Sequence, residues 1–173
     1  MTTGNIRQAK ASDIEGLHRI AAAMGATHEP GYFERCLAEQ AEMKRIILVA
    51  ENTADLTGYV QLIWQPLYPP FRRLDIPEIQ DLNVIPVARR QGLGEKLVDT
   101  CEDLARAAGK AAIGIGVGLY PRYGAAQRLY IRKGYMPDGA GVCYDDVPVK
   151  AGDLRAVDDL LTLKLVKDIK KIP

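Results

Sequence analysis

A chain of 173 residues, 47% hydrophobic and 26% charged, can bury one substantial core and has the composition of an ordinary globular protein. Its formal charge is +1, with Lys and Arg interspersed among acids, so no basic block points to nucleic acid. No apolar run forms a leader or reaches the length of a membrane span, and a single cytoplasmic domain over residues 1–173, engaging neither nucleic acid nor membrane, is expected.

Residues 5–9 read as a first strand. Ser12-Asp13-Ile14-Glu15 has the form of a capping box and opens a helix to about Met24. A second helix is predicted over 31–43, then a hairpin of strands 46–51 and 56–64 with a polar turn at 52–55. Pro66, Pro69, Pro70 and Pro77 break the next stretch, so 65–75 reads as loop. Strand 78–85, helix 92–108, strand 111–119 and helix 124–133 follow, and two strands near 141–145 and 160–166 end the list. The terminal Lys167-Asp168-Ile169-Lys170-Lys171 reads as a solvated tail. A strand-rich front half feeding a βαβα unit is a mixed α/β layer arrangement.

Three widely spaced cysteines, Cys36, Cys101 and Cys143, suggest neither a disulfide framework nor a metal site, and Cys101 falls on an apolar helix face. The two histidines, His18 and His28, lie in the N-terminal helical region and read as surface or structural residues.

The most informative stretch is Arg89-Arg90-Gln91-Gly92-Leu93-Gly94. It lies between an apolar run and a helix whose Leu97, Val98, Cys101, Leu104, Ala105 and Ala108 recur at i, i+3, i+4. A glycine turn from strand into helix gathers backbone N–H groups without intrahelical partners at the positive end of the helix dipole, a seat for phosphate. It is neither a Walker A loop, which needs G-x-x-x-x-G-K-[ST], nor a Rossmann fingerprint, which needs a third glycine.

Arg89, Gly92 and Gly94 in the spacing R-x-x-G-x-G resemble the acyl-CoA pyrophosphate loop of the GNAT superfamily of N-acetyltransferases. A second segment from Tyr123 to Tyr135 is similar to that superfamily's next motif at Ala126, Leu129, Tyr130, Gly134 and Tyr135. The resemblance is good from about Glu78 to Tyr135 and looser over the rest. It implies a GNAT-like α/β (α+β) fold, with a mixed, mostly antiparallel central sheet flanked by helices. The implied activity is direct transfer of acetyl from acetyl-CoA to an amine in a ternary complex, without metal.

Such a reaction needs a cofactor grip, a proton donor for the departing thiolate and a way to deliver neutral amine. The resemblance assigns the grip to Arg89, Arg90, Gln91, Gly92, Leu93, Gly94 and Glu95, with Ala126, and the pantetheine edge to Leu82, Asn83 and Val84. Hydrogen bonds to the charged phosphates contribute roughly 1.5–3 kcal/mol each. A thiol of pKa about 8.5 leaves as thiolate, and a tyrosine of pKa about 10 can protonate it. Tyr130 matches the family tyrosine in that role; it would otherwise read as a packing aromatic, and Tyr120, Tyr123 and Tyr135 are neighbours in sequence. An alkylamine of pKa about 10.4 is neutral about one time in a thousand near pH 7.4, so a base is useful. Glu78, six residues before Val84, resembles the base of some GNAT enzymes, and Asp81 is its rival. Strand alternation puts Glu78 and Gln80 on one face and Asp81 on the other.

Two features depart from the family pattern. Tyr123 stands where the family often has asparagine. Gly114, Gly116 and Gly118 leave one face of a predicted strand bare, for a tightly packed helix or for a widened cleft in equal measure. Acceptor specificity is expected in the proline-broken loop with Tyr68, Phe71, Arg72 and Arg73 and in the connection carrying Asp145, Asp146, Asp153, Asp158 and Asp159. Those acids suit a small cationic amine, aminoglycoside-, polyamine- or lysine-like, and equally a solvated loop. An acyl-CoA-binding sensor without turnover is the alternative reading, and a homodimer stays open.

Overall fold

The computed structural model describes residues 4–26, 28–53 and 55–170. The chain forms two compact units, each built from two stretches: Met1–Trp64 with Ile79–Asp103, and Gln65–Glu78 with Leu104–Pro173.

In the first unit β1 (Asn5–Gln8), β2 (Arg45–Glu51), β3 (Leu56–Ile63) and β4 (Glu78–Val84), of which Glu78 itself counts with the second unit, are neighbours in that order. β2 pairs antiparallel with both β1 and β3, with a bulge at Ala50 and Glu51. α1 (Ile14–Ala23) and α2 (Tyr32–Ala41) bury Leu17, Ile20, Phe33 and Cys36 in one core with Ile47, Val49 and Tyr59 of the strands. The helix start differs from the expected capping box. A 3-10 turn over Ala11–Asp13 precedes α1, and Asp13, not Ser12, organises it. Its carboxylate accepts the Lys10 N–H at 2.8 Å and two Arg7 N–H groups at 2.7 and 2.9 Å, contacts that need a charged acceptor rather than a hydroxyl.

In the second unit the strand order is β5 (Ala112–Gly118), β8 (Leu161–Asp168), β6 (Met136–Tyr144), β7 (Val147–Pro148), all paired antiparallel. Three C-terminal strands thus replace the two expected. β6 starts early because its register shifts between Pro137 and Val142, where Gly139 and Gly141 adopt positive φ: residues that read as a turn make a bulge. The expected loop at 65–75 contains α3 (Pro69–Arg73), with both prolines in the first helical positions where a missing N–H costs nothing. The expected tail is also corrected. Lys167 and Asp168 end β8, and Ile169 is buried with its N–H on the Ala111 carbonyl at 3.0 Å; Lys171 lies outside the described residues.

α4 (Leu93–Ala107) and α5 (Gly124–Arg132) complete the elements, and the fold is the expected mixed α/β class with mostly antiparallel strands. Helix ends follow one rule. In α5 the Gly134 N–H reaches Ile131 O and the Tyr135 N–H reaches Tyr130 O, each at 3.0 Å, a Schellman motif with Gly134 at φ 86°. The same bond pair closes α2, but with Met43 in the left-handed position at φ 57°, and the helix ends two residues short of the predicted 43. No helix among the described residues is long and apolar enough to cross a membrane.

Candidate active site

The first unit holds the glycine corner. After β4, a 3-10 turn over Pro86–Ala88 leads to extended Arg89, then to Arg90 and Gly92 at φ 61° and 77°. The first α4 hydrogen bond runs from the Lys96 N–H to Gly92 O at 3.0 Å, so the N–H groups of Leu93, Gly94 and Glu95 precede the ladder at the positive end of the dipole. A Cβ on Gly92 would meet no heavy atom within 4 Å. The glycine is therefore required by backbone conformation, and the space before the donors is open, which fits an anionic group. Buried Leu93 anchors the corner, packing so closely that a Cβ on Gly4 would lie 2.8 Å from it. Arg89 is exposed but engaged, Nε donating to Val84 O at 3.1 Å and Nη2 to Met24 Sδ at 3.2 Å, while Gln91 donates to Val87 O at 3.3 Å. Arg90 is exposed.

Leu82, Asn83 and Val84 on β4 are half-buried. Gly58 of β3 is explained here: a Cβ would stand 2.8 Å from Asn83 O. Asp81 lies at φ 52°, so β4 is not a regular strand and the alternation argument separating Asp81 from Glu78 and Gln80 does not hold across it. Its Oδ2 accepts the Tyr32 hydroxyl at 3.0 Å and Gln61 Nε2 at 2.7 Å, and Gln61 Oε1 in turn accepts from Arg45 at 2.7 Å.

The second unit holds the other two candidate catalytic groups. Glu78 is 0% exposed, and its Oε1 accepts from Lys164 Nζ at 2.6 Å; the same Nζ donates to Asp146 Oδ1 at 2.6 Å. Burial works against the Lys164 ammonium, but the two carboxylates outweigh it and hold its pKa above the ordinary value. The Tyr68 ring lies 5.3 Å from the ammonium. The sequence offered Asp146 only as one acid of the acceptor connection, and it did not reveal Lys164 or their pairing. The available signal was a lysine inside an apolar strand, between Leu163 and Leu165.

The bare face of β5 has specific occupants. A Cβ on Gly114 would lie 2.1 Å from the Phe71 ring, one on Gly116 3.3 Å from Lys164 Nζ, and one on Gly118 2.3 Å from the Tyr123 ring. Neither a flat helix face nor an empty cleft covers the strand, but two aromatic rings and an ion pair.

Tyr130 is 4% exposed on α5, and burial is the cause that raises its hydroxyl above the ordinary tyrosine range, so it is a neutral proton carrier near pH 7. Ala126, one turn earlier, is half-buried. Tyr120 and Tyr123 both donate to Asp159, Tyr123 at 2.7 Å, so each hydroxyl is committed elsewhere. Asp158 accepts the Tyr144 hydroxyl at 2.7 Å, and Asp153 pairs with Arg155 at 3.1 Å. Most of the acids of the long connection are thus engaged within the chain.

His28 stacks on Tyr32 at 4.0 Å and His18 packs edge-on to Phe33 at 4.9 Å, both structural placements. All three cysteines are buried and free, and burial raises each thiol.

Residues 14–135 match the Acetyltransferase (GNAT) family, and the chain belongs to it: it is a GNAT N-acetyltransferase. A relative named as the uncharacterized N-acetyltransferase YhfO of Bacillus subtilis is 30% identical over 159 residues, covering 84% of this chain and 99% of that protein. Among solved structures, yncA of Salmonella typhimurium, described as a putative acetyltransferase with its cofactor acetyl-CoA, matches at TM-score 0.72 and 21% identity over 98% of this chain and 96% of that one. A ribosomal-protein-alanine N-acetyltransferase from Brucella melitensis matches at TM-score 0.71 and 21% identity, over 95% and 99%. At these identities the structures establish the shared fold.

Proposed function

We propose that this N-acetyltransferase takes acetyl from acetyl-CoA and transfers it directly to a primary amine in a ternary complex. The observation that carries the proposal is the open corner where the N–H groups of Leu93, Gly94 and Glu95 precede the helix ladder, in the spacing that the family uses for acyl-CoA. Leu93, Gly94 and Glu95 would hold the pyrophosphate, Arg90 would add charge, and Leu82, Asn83 and Val84 would carry the pantetheine arm. When bound, acetyl-CoA supplies an acetyl group activated as a thioester.

Tyr130 gives its proton to the departing sulfur. Its hydroxyl is neutral at the pH where a thiolate must be protonated, and the other tyrosines of the motif region have commitments of their own. Glu78 takes the proton of the acceptor amine; because its side chain is enclosed, a bridging water carries that proton. Asp81 is the substitute, its Oδ2 already occupied by two donors. Direct transfer, rather than an acyl-enzyme, is supported by the cysteines: buried thiols held protonated are poor nucleophiles.

The acceptor is a small cationic amine of the aminoglycoside, polyamine or lysine type. Support comes from the ionic cluster of the second unit, where two carboxylates flank one ammonium. The protein works in the cytoplasm, where acetyl-CoA is made. CoA release measured with kanamycin, spermidine and lysine as acceptors tests the reading. Release that depends on the amine supports it, and release with none of the three, but with a peptide amino terminus, moves the acceptor to a protein.

A further inference from the structure

We propose that Lys164 is a positioning residue for the transfer: gripping Glu78 and Asp146 at once, it fixes the Glu78 carboxylate in one orientation, with Asp146 setting how strongly that grip acts. The inference rests on the reading of Glu78 as the base. Lys164 is 4% exposed, and its Nζ lies 2.6 Å from one oxygen of each carboxylate. Gly116 on β5 gives the ammonium its room, since a Cβ there would approach Nζ to 3.3 Å. The remaining titratable groups facing the cluster are Tyr68, whose hydroxyl is donated to Asp138 at 2.7 Å, and the Cys143 thiol on β6. Neither carries charge near neutral pH, Asp138 lies beyond the Tyr68 hydroxyl, and Lys164 and Asp146 both contribute to the field at Glu78.

Stability alone does not account for such a cluster. Replacing a buried ion pair by packed apolar residues is often neutral or stabilising, because desolvation offsets the Coulombic gain. A lysine on β8 shared between β4 and the β6–β7 turn has a clearer use in controlling one carboxylate. The proton taken from the acceptor's ammonium ends on a Glu78 oxygen and then passes to solvent. The base must start ionised, and the Lys164 ammonium at 2.6 Å favours that form.

The two partners of Lys164 predict shifts of opposite sign at Glu78, and a merely structural role would leave the acidic limb of kcat/KM unmoved by them. The readout is the carboxyl 13C titration of Glu78 in the full chain, assigned with Glu78→Gln and needing no acceptor. Lys164→Met removes the cation and should raise the Glu78 midpoint by about 1–3 pH units, while Lys164→Arg should return it toward the parent. Asp146→Asn removes the competing anion and should lower the midpoint. Asp146 lies in a turn at φ 61°, which asparagine tolerates, so this variant decides the matter even if Lys164→Met fails to fold. An unchanged midpoint in Asp146→Asn, or in a folded Lys164→Met, overturns the proposal. The acidic limb of kcat/KM for spermidine, kanamycin or lysine should move with the Glu78 midpoint. A limb that stays put while the midpoint moves overturns the base reading and leaves the coupling standing.

Discussion

Tyr130 and Lys164 illustrate two ways in which burial decides what a side chain does. Around Tyr130 burial favours the neutral phenol, so the hydroxyl keeps its proton at neutral pH and, as the proposed donor, would release it only to the departing thiolate. Tyr130→Phe should therefore lower kcat by about 10²–10⁴-fold and leave acetyl-CoA affinity nearly unchanged; steady-state kinetics with calorimetry checks it, and a loss within twofold would move the donor elsewhere. Around Lys164 burial opposes charge, and two carboxylates reverse the outcome. Lys164→Met leaves both anions without their cation and should destabilise the fold by about 3–5 kcal/mol, whereas adding Glu78→Gln should recover part of that loss, as read from urea midpoints. Glu78 and Tyr130 are proposed from the sequence through motif spacing alone. The Lys164 partner of Glu78 was not legible, because an ion pair 86 residues apart in the chain leaves no local pattern.

Helix starts and stops were the most readable elements, and their exceptions have physical causes. Gly134 marks the end of α5 by the left-handed backbone that its Schellman motif requires, but Met43 fills the same position in α2, where composition gives no stop signal. Met43 is 81% exposed and loses no packing, so Met43→Gly should stabilise the protein by about 1 kcal/mol in urea unfolding. The glycine strand β5 was legible as a bare face but not as to what fills it. Gly114→Ala sets a methyl 2.1 Å from the Phe71 ring and should cost about 1–3 kcal/mol in the same assay. At the phosphate corner, Gly94→Leu should leave the fold intact and weaken acetyl-CoA binding severalfold or more by calorimetry. Unchanged affinity in that variant would remove the corner from the cofactor site.

Across the whole molecule, class and element order could be read from periodicity and turn residues, while α3, the bulged β6 and the left-handed Asp81 could not, since proline and glycine signal breaks without saying how a chain continues through them. Charge also acts at this scale. Asp13, bonded to Arg7, and Asp159, accepting from Tyr120 and Tyr123, both have pKa values below the ordinary carboxylate range. Folded values lower than unfolded ones mean that this stability is present at neutral pH and is lost as pH falls below about 4 through the folded values. Urea midpoints should drop between pH 7 and pH 3, and by less in Asp13→Asn. The central claim, acetyl transfer from acetyl-CoA to an amine at the expense of the thioester, is tested most directly by following free CoA thiol against acetylated product over a panel of cationic amines. The account predicts thiol release that requires the amine and equals product mole for mole. Tight acetyl-CoA binding with no amine-dependent release across the panel would contradict it and leave a binding module in its place.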